Sequence, residues 1–188
     1  MLTVETPGDA GDGENLGEVI PPPPPSPLDG LKEKLAARRA KLYHDLEVPR
    51  FAELGLRVFV RFSPLDPSYA AKVNEKWQQR KTDDWSVNAN AEKLAHCCVG
   101  VYATDVGDTE RKYSLKPDDP DGEWTKFDHY LAVTLGLIAS PDEYSKTDSV
   151  KTCRALYATE GDLLAATMQL ADWSSLGSDE AERDFQTP

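Results

Sequence analysis

The most reactive side chains of the sequence stand next to each other at His96, Cys97 and Cys98. Imidazole and thiolate groups are ligands that Zn²⁺ favours, and a thiolate activated by a histidine can act as a nucleophile. Successive residues of a helix point about 100° apart, so these three side chains cannot easily bind one tetrahedral ion together. A zinc site would need a fourth ligand, such as Cys153, from another segment. We therefore interpret the cysteines as buried thiols on a helix face, beside a surface histidine.

Other patterns that carry chemistry are missing or incomplete in the sequence. The chain has no Gly-rich phosphate-binding loop, no HExxH, no GxSxG and no CxxC. His44 and His129 stand on other segments. An acidic loop around Gly122 lacks the glutamate that would complete an EF-hand. We predict a protein without catalytic residues, without a cofactor and without a metal ion.

The charge of the chain argues against two classes of partner. The 188 residues carry 33 Asp and Glu against 21 Lys and Arg, a formal net charge of -12, and the pI is about 4.7. Nucleic acids and anionic lipids are bound by cationic surfaces, so we expect neither nucleic acid nor a membrane as partner. No apolar run reaches the roughly 20 residues of a membrane span, and the N-terminus lacks a secretory signal. Three cysteines make no disulfide framework, which fits a reducing cytoplasm.

Residues 1–27 have the composition of a disordered tail that is acidic and Pro-rich. Residues 1–31 contain six acids and no Lys or Arg, and residues 21–25 are all proline. A proline run favours an extended, stiff spacer. It could bind an SH3- or WW-type groove, but no Lys or Arg flanks it, so we favour a linker. The body is expected to span residues 28–175, and an acidic C-terminal tail residues 176–188.

The first periodic segment of the body covers residues 28–48. Its leucines follow a helical period. They are Leu31, Leu35, Leu42 and Leu46. Basic residues cluster around them between residues 32 and 41. This cluster could contact RNA or an acidic partner, or the acidic tail could fold back on it, but we favour the solvated face of an amphipathic helix.

A strand and a helix follow. Residues 56–62 alternate apolar and polar side chains, which predicts a half-buried strand. Asp66 and Pro67 can serve as N-cap and first-turn proline of a helix that runs to about Arg80. Residues 88–103 admit two interpretations, a single helix or a helix to about Cys98 followed by a strand. We favour a strand there, which pairs in a hairpin with residues 113–115.

Helical periodicity returns in the second half, around residues 127–137, 148–157 and 163–173. An apolar stripe runs along the last of these helices. It consists of Leu163, Ala166, Leu170 and Trp173, widened by Leu164 and Met168. The stripe either belongs to the core or binds a partner protein, and we favour the core. The predicted fold class is mainly α with a minor β element (α+β): a compact helical body with one strand or a small hairpin.

Several short sequence blocks occur in an order that resembles a known family. They are DWSVNANA at residues 84–91, VGVY at residues 99–102, FDHYLA at residues 127–132 and ADWS at residues 171–174. Together with the strand at residues 56–62, they resemble the tail assembly chaperones of long-tailed (siphovirus-type) actinobacterial phages. The resemblance covers residues 54–185 and leaves the acidic N-terminal tail outside it.

This resemblance implies a non-catalytic protein that works during virion assembly. Such chaperones bind the long, helical, apolar tape measure protein, keep it soluble, help to recruit tail tube subunits and are absent from the mature virion. In many relatives a programmed frameshift makes a longer product. The implied location is the cytoplasm of the infected bacterial host, and a homo-oligomer is compatible with the role. Two alternatives stay open: a capsid- or neck-associated protein retained in the virion, and a small thiol or zinc enzyme.

Overall fold

The structure, a computed structural model, covers the body of the chain. It describes residues 42–49, 51–116, 118–145 and 148–186, together with residues 30, 31, 33, 34 and 37. The predicted disordered tail at residues 1–27 and its proline linker lie outside the described residues. Of the helix predicted over residues 28–48, residues 31, 33, 34 and 37 are helical.

Four antiparallel strands form one sheet in the described part of the chain. They are β1 (His44–Val48), β2 (Leu56–Phe62), β3 (Cys98–Asp105) and β4 (Asp108–Ser114). The strands lie in the order β1-β2-β3-β4, so each strand pairs with the next strand in sequence. Strands β1 and β4 therefore form the two edges of the sheet.

Five α-helices accompany this sheet within the described residues. They are α1 (Pro67–Gln79), α2 (Trp85–Cys97), α3 (His129–Thr134), α4 (Asp148–Tyr157) and α5 (Glu160–Gln186). Helix α2 is central, since it contacts α1, α4 and α5. Helix α5 continues across residue 176, where the sequence predicted the start of a C-terminal tail.

The predicted fold class, a mainly helical body with one strand or a small hairpin, is wrong. The sheet has four strands, and 20% of the residues that the structure describes are strand against 51% helix. The error begins at residues 44–48, which the sequence assigned to a helix because Leu46 fits the leucine spacing. In the structure Leu46 and Val48 are buried while Asp45 and Glu47 lie on the other face, the alternation of a strand.

Ion pairs between neighbouring strands explain why residues 44–48 join the sheet. Asp45 lies opposite Arg61, whereas Glu47 lies opposite Phe59 and forms a diagonal ion pair with Arg57. Each arginine donates two hydrogen bonds to its carboxylate, at 2.7 and 2.7 Å for Arg61 and at 2.9 and 2.6 Å for Arg57. Such bidentate pairs across two strands favour one register over its alternatives.

Several local predictions are confirmed. Strand β2 covers residues 56–62 as the alternation indicated. Helix α1 follows Asp66, whose side chain accepts hydrogen bonds from the backbone N–H of Ser68 and Tyr69 at 2.7 and 3.3 Å. Helix α2 ends at Cys97 and β3 begins at Cys98, and β3 forms a hairpin with β4.

The hydrophobic core lies between the sheet and the helices. Val60 and Val101 from the sheet and Leu94, Leu156 and Leu170 from the helices are at most 2% exposed. These residues belong to one continuous core cluster. The helices are thus held on one face of the sheet.

Candidate protein-binding surfaces

The stripe that the sequence singled out on the last helix packs largely into the core. Leu163 and Leu170 are 2% and 0% exposed, and Ala166 is buried with them. Trp173 is partly buried and packs against the core. Its indole ring stacks on His44 of β1, with ring centroids 5.0 Å apart. Leu163 and Leu170 are therefore closed to a client protein while the chain is folded.

A second apolar row runs along the solvent side of α5. Leu164, Met168 and Ala171 follow the i, i+4, i+7 spacing of one helix face, and all three are exposed. We call these three residues the outer stripe. Leu164 is 48% exposed and Met168 58% exposed. From the sequence, Leu164 and Met168 are predicted to widen the core-facing stripe, because residue spacing alone does not show where a helix meets its neighbours.

Contacts near both ends of the packed part of α5 fix which face points to solvent. Ala158 has a φ of 58°, a left-handed conformation that ends α4. The Thr159 hydroxyl then accepts a hydrogen bond from the backbone N–H of Asp162 at 3.1 Å. Further along, the backbone N–H of Leu65 donates to the hydroxyl of Ser174 at 2.9 Å. These contacts hold the inner face on the core, so the outer stripe stays exposed.

A separate surface lies between α1, α2 and α4, where the helices line an open depression of about 470 Å³. We call it the helical groove. Aromatic rings line it: Tyr69 stacks on His96 with ring centroids 3.8 Å apart, and the guanidinium of Arg80 lies 4.4 Å from the ring centroid of Trp77. The indole N–H of Trp77 donates to the carboxylate of Glu92. The groove therefore combines aromatic rings with charged groups.

The helical groove is basic although the whole chain is acidic. Its bases are Lys76, Arg80, Lys151 and Arg154, and Glu92 is its acid. Three of these bases form salt bridges. The pairs are Lys76 with Glu92 (2.7 Å), Lys151 with Asp148 (2.8 Å) and Arg154 with Asp84 (2.6 Å). Arg80 forms no salt bridge with any carboxylate that the structure describes, so its positive charge is available to a ligand.

The three thiols are buried, and His96, next to Cys97 in the sequence, stacks on a tyrosine. Burial raises the pKa of the Cys97 thiol to about 11 and that of Cys98 to about 12, and it raises the pKa of Cys153 well above its usual value. His96 stacks on Tyr69 in the helical groove. Within the described residues, no group of three or more His, Cys, Asp or Glu could hold a metal ion. These thiols stay protonated near neutral pH, which makes them poor nucleophiles.

The sheet face opposite the helices carries a network of paired charges and aromatic rings. Tyr102 is 3% exposed and donates its hydroxyl hydrogen to Asp45 at 2.9 Å. Trp124 covers Tyr102, with ring centroids 4.5 Å apart, and the guanidinium of Arg61 lies 4.9 Å from the Trp124 ring centroid. A Cβ atom at Gly100 would come within 3.0 Å of the Trp124 ring, so the lack of a side chain at Gly100 lets Trp124 pack on Tyr102. The network stabilises the sheet and leaves few groups free for a ligand.

Comparisons with known proteins give no relative for this fold. No family model, no curated protein and no solved structure matches the chain. In the part of the chain that the structure describes, no helix has both the length and the apolar character needed to cross a membrane. The features of the chain that indicate a function are the sequence blocks quoted above, the outer stripe and the helical groove.

Proposed function

We propose that the protein is a non-catalytic tail assembly chaperone that binds a tape measure protein and keeps it soluble while the tail tube assembles. The outer stripe is the observation that carries this proposal. Its residues Leu164 and Met168 stay about half exposed on a helix whose other apolar face is already buried. The sequence blocks that resemble phage chaperones support the same proposal, and the last of them, residues 171–174, lies on this helix.

An apolar helix face that is open to water gains free energy when a second apolar helix covers it. Burial contributes about 25 cal/mol for each Å² of apolar area. Met168 adds a flexible, polarizable side chain that adapts to partners of different shape. A long helical protein with repeated apolar stripes needs such cover before it is assembled. A stripe of three residues gives a weak contact at each repeat, which suits a chaperone that must be released.

The charge of the chain supports the solubilising part of this role. Each chain has a formal net charge of -12, so chains bound to one client molecule repel chains bound to another client molecule. Coated tape measure proteins would therefore stay apart while each apolar stripe is covered.

The environment of the cysteines supports a non-catalytic role. A thiol enzyme needs a cysteine whose pKa is lowered by a neighbouring base or cation. Cys97 and Cys98 have pKa values raised by burial, to about 11 and about 12.

We further propose that the chaperone acts in the cytoplasm of the infected host and leaves before the virion matures. Tail tube subunits are its second partners in this proposal. Mass spectrometry of purified virions tests the release: the chain should be found in lysates of infected cells and be absent from mature particles. A stoichiometric amount in the particles would contradict the chaperone role and favour a capsid- or neck-associated protein.

Co-expression tests client binding itself. The client is the product of the long reading frame that we expect immediately downstream of this gene, and it should be insoluble when expressed alone. Co-expression with this chain should move it into the soluble fraction, and the two proteins should purify together. A client that stays insoluble, or that is soluble without this chain, would contradict the proposal.

A further inference from the structure

The helical groove selects for a ligand that is both acidic and apolar. Four bases and one acid line it, but salt bridges with Glu92, Asp148 and Asp84 neutralise three of the bases, so among the described residues one positive charge, that of Arg80, stays unpaired in a chain whose total charge is -12. Arg80 forms no salt bridge within the described residues, and its guanidinium lies 4.4 Å from the ring centroid of Trp77. The rings of Trp77 and Tyr69 and the side chain of Val150 give the groove an apolar lining. When a carboxylate of a ligand pairs with Arg80, the apolar side chains next to that carboxylate in the ligand would contact this apolar lining.

We propose that the helical groove binds residues 14–20 of the same chain (ENLGEVI). This segment places two carboxylates, Glu14 and Glu18, among three apolar side chains, Leu16, Val19 and Ile20. No Lys or Arg occurs anywhere in residues 1–31 to oppose the positive charge of the groove. The segment thus has both properties that the groove selects. This inference does not depend on the proposed chaperone function.

The other acidic segments of the chain are less suitable ligands. Residues 179–184 contain Arg183 and belong to α5, which extends to Gln186. The acidic loop at residues 118–123 is tied to the sheet, since the backbone N–H of Ser114 donates to the carbonyl of Pro120 at 2.6 Å. Arg111 also pairs with Asp121 of this loop at 3.3 Å. Neither segment offers two carboxylates and several apolar side chains that are free to enter the groove.

The length of chain between the segment and the body lets the segment reach the groove. Residues 21–41 separate it from Leu42, the start of the continuous described region. Residues 31, 33, 34 and 37 are helical, so counting residues 31–37 at about 1.5 Å each and the others at about 3.3 Å each gives a reach of roughly 55 Å, still more than the diameter of a domain of this size.

The tether strengthens the contact between the segment and the groove. A tethered ligand meets its site at an effective concentration of the millimolar order, so even a weak contact keeps the groove filled. Because the contact depends on exposed charges, salt should weaken it.

Nuclear magnetic resonance of the full-length, ¹⁵N-labelled chain tests the proposal. The variant Glu14→Gln/Glu18→Gln removes both carboxylates of the segment, and Glu5→Gln/Asp9→Asn is its control, with the same loss of charge outside the segment. The first variant should shift the indole N–H resonance of Trp77 and the backbone amide resonances of Arg80 and Lys151 by more than a linewidth. The control should leave them in place.

A reciprocal variant and a dilution series complete the test. Arg80→Gln should shift the amide resonances of residues 14–20, and 1 M NaCl should cause the same shifts in the wild-type chain. The proposal is overturned if Glu14→Gln/Glu18→Gln leaves the groove resonances unchanged, or if its effects are confined to the basic cluster at residues 32–41. It is also overturned if the wild-type groove resonances move on dilution, because the segment would then come from a second copy of the chain.

Discussion

Trp173 of α5 stacks on His44 of β1, with ring centroids 5.0 Å apart and ring planes 15° apart. The contact joins the last helix of the fold to its first strand. Strand β1 lies at an edge of the sheet and has β2 as its strand neighbour, so packing from α5 is a second source of its stability. Packing of Trp173 on His44 therefore helps to hold residues 44–48 as a strand.

Replacing Trp173 should weaken this junction. Trp173 is partly buried, so Trp173→Ala should lower the free energy of unfolding by about 2–3 kcal/mol, less than the 3–5 kcal/mol of a fully buried Trp. Urea denaturation followed by circular dichroism measures the change. Trp173→Phe is the control, because it keeps an aromatic ring against His44 and should recover most of the loss. An alanine variant as stable as the wild type would show that the stack contributes nothing.

The two faces of α5 should respond differently to the same substitution. Leu170 is 0% exposed and Leu164 is 48% exposed. Leu170→Ala should cost about 2–5 kcal/mol, since it leaves a cavity in the core, whereas Leu164→Ala should change stability by about 0.5 kcal/mol or less. Equal losses from the two variants would mean that the outer stripe is packed against other parts of the chain.

Acid should weaken the pairing of β1 and β2 through Asp45. Burial raises the pKa of Asp45, but the hydrogen bonds from Arg61 and Tyr102 outweigh it and hold the pKa below its ordinary value of 3.8. A carboxyl whose pKa is lower in the folded state than in the unfolded state stabilises the fold. This contribution is complete above the unfolded-state pKa, and it is lost as the pH falls through the folded-state pKa. Stability should therefore fall between about pH 5 and pH 2.

Denaturation midpoints at pH 7 and pH 2.5 measure the contribution of Asp45. Asp45→Asn should destabilise the chain at pH 7, and it should lose less stability than the wild type on acidification. Asp83→Asn is the control, because Asp83 is an exposed aspartate in the turn between α1 and α2. If the wild type and Asp45→Asn lose the same stability in acid, the prediction for Asp45 is wrong.

The cysteines should be unreactive in the native protein. Burial raises the pKa values of all three thiols, and a protonated thiol reacts slowly with thiol reagents. At pH 8, labelling with a disulfide reagent should follow the rate of unfolding and become fast only in urea. Rapid stoichiometric labelling of a native cysteine would reveal an accessible thiolate and reopen the thiol-enzyme alternative.

Local sequence signals predicted individual elements well. The alternation at residues 56–62 predicted β2, and the Asp66–Pro67 pair predicted the start of α1. Both signals depend on neighbouring residues, which is why a single sequence is enough to find them.

The sheet could not be predicted in the same way. Residues 44–48 have the leucine spacing of a helix and the alternation of a strand, and ion pairs with Arg57 and Arg61 on another strand decide between the two. The outer stripe was missed for a similar reason. Leu163 and Leu164 are adjacent leucines on one helix, and only the position of the sheet and of α2 determines that the first is buried and the second exposed.

Substitutions confined to the outer stripe show whether it covers a client protein. The variant Leu164→Gln/Met168→Gln removes its two large apolar side chains. Its matched control, Leu54→Gln/Val106→Gln, removes two side chains that are 75% and 52% exposed elsewhere on the surface. Circular dichroism and melting temperature should show both variants folded like the wild type.

Each variant is then co-expressed with the tape measure protein, and the soluble client is quantified. The stripe variant should lose most of the soluble client, because the apolar cover is gone, while the control should keep the wild-type amount. A stripe variant that is folded and keeps the client as soluble as the wild type does would contradict the account.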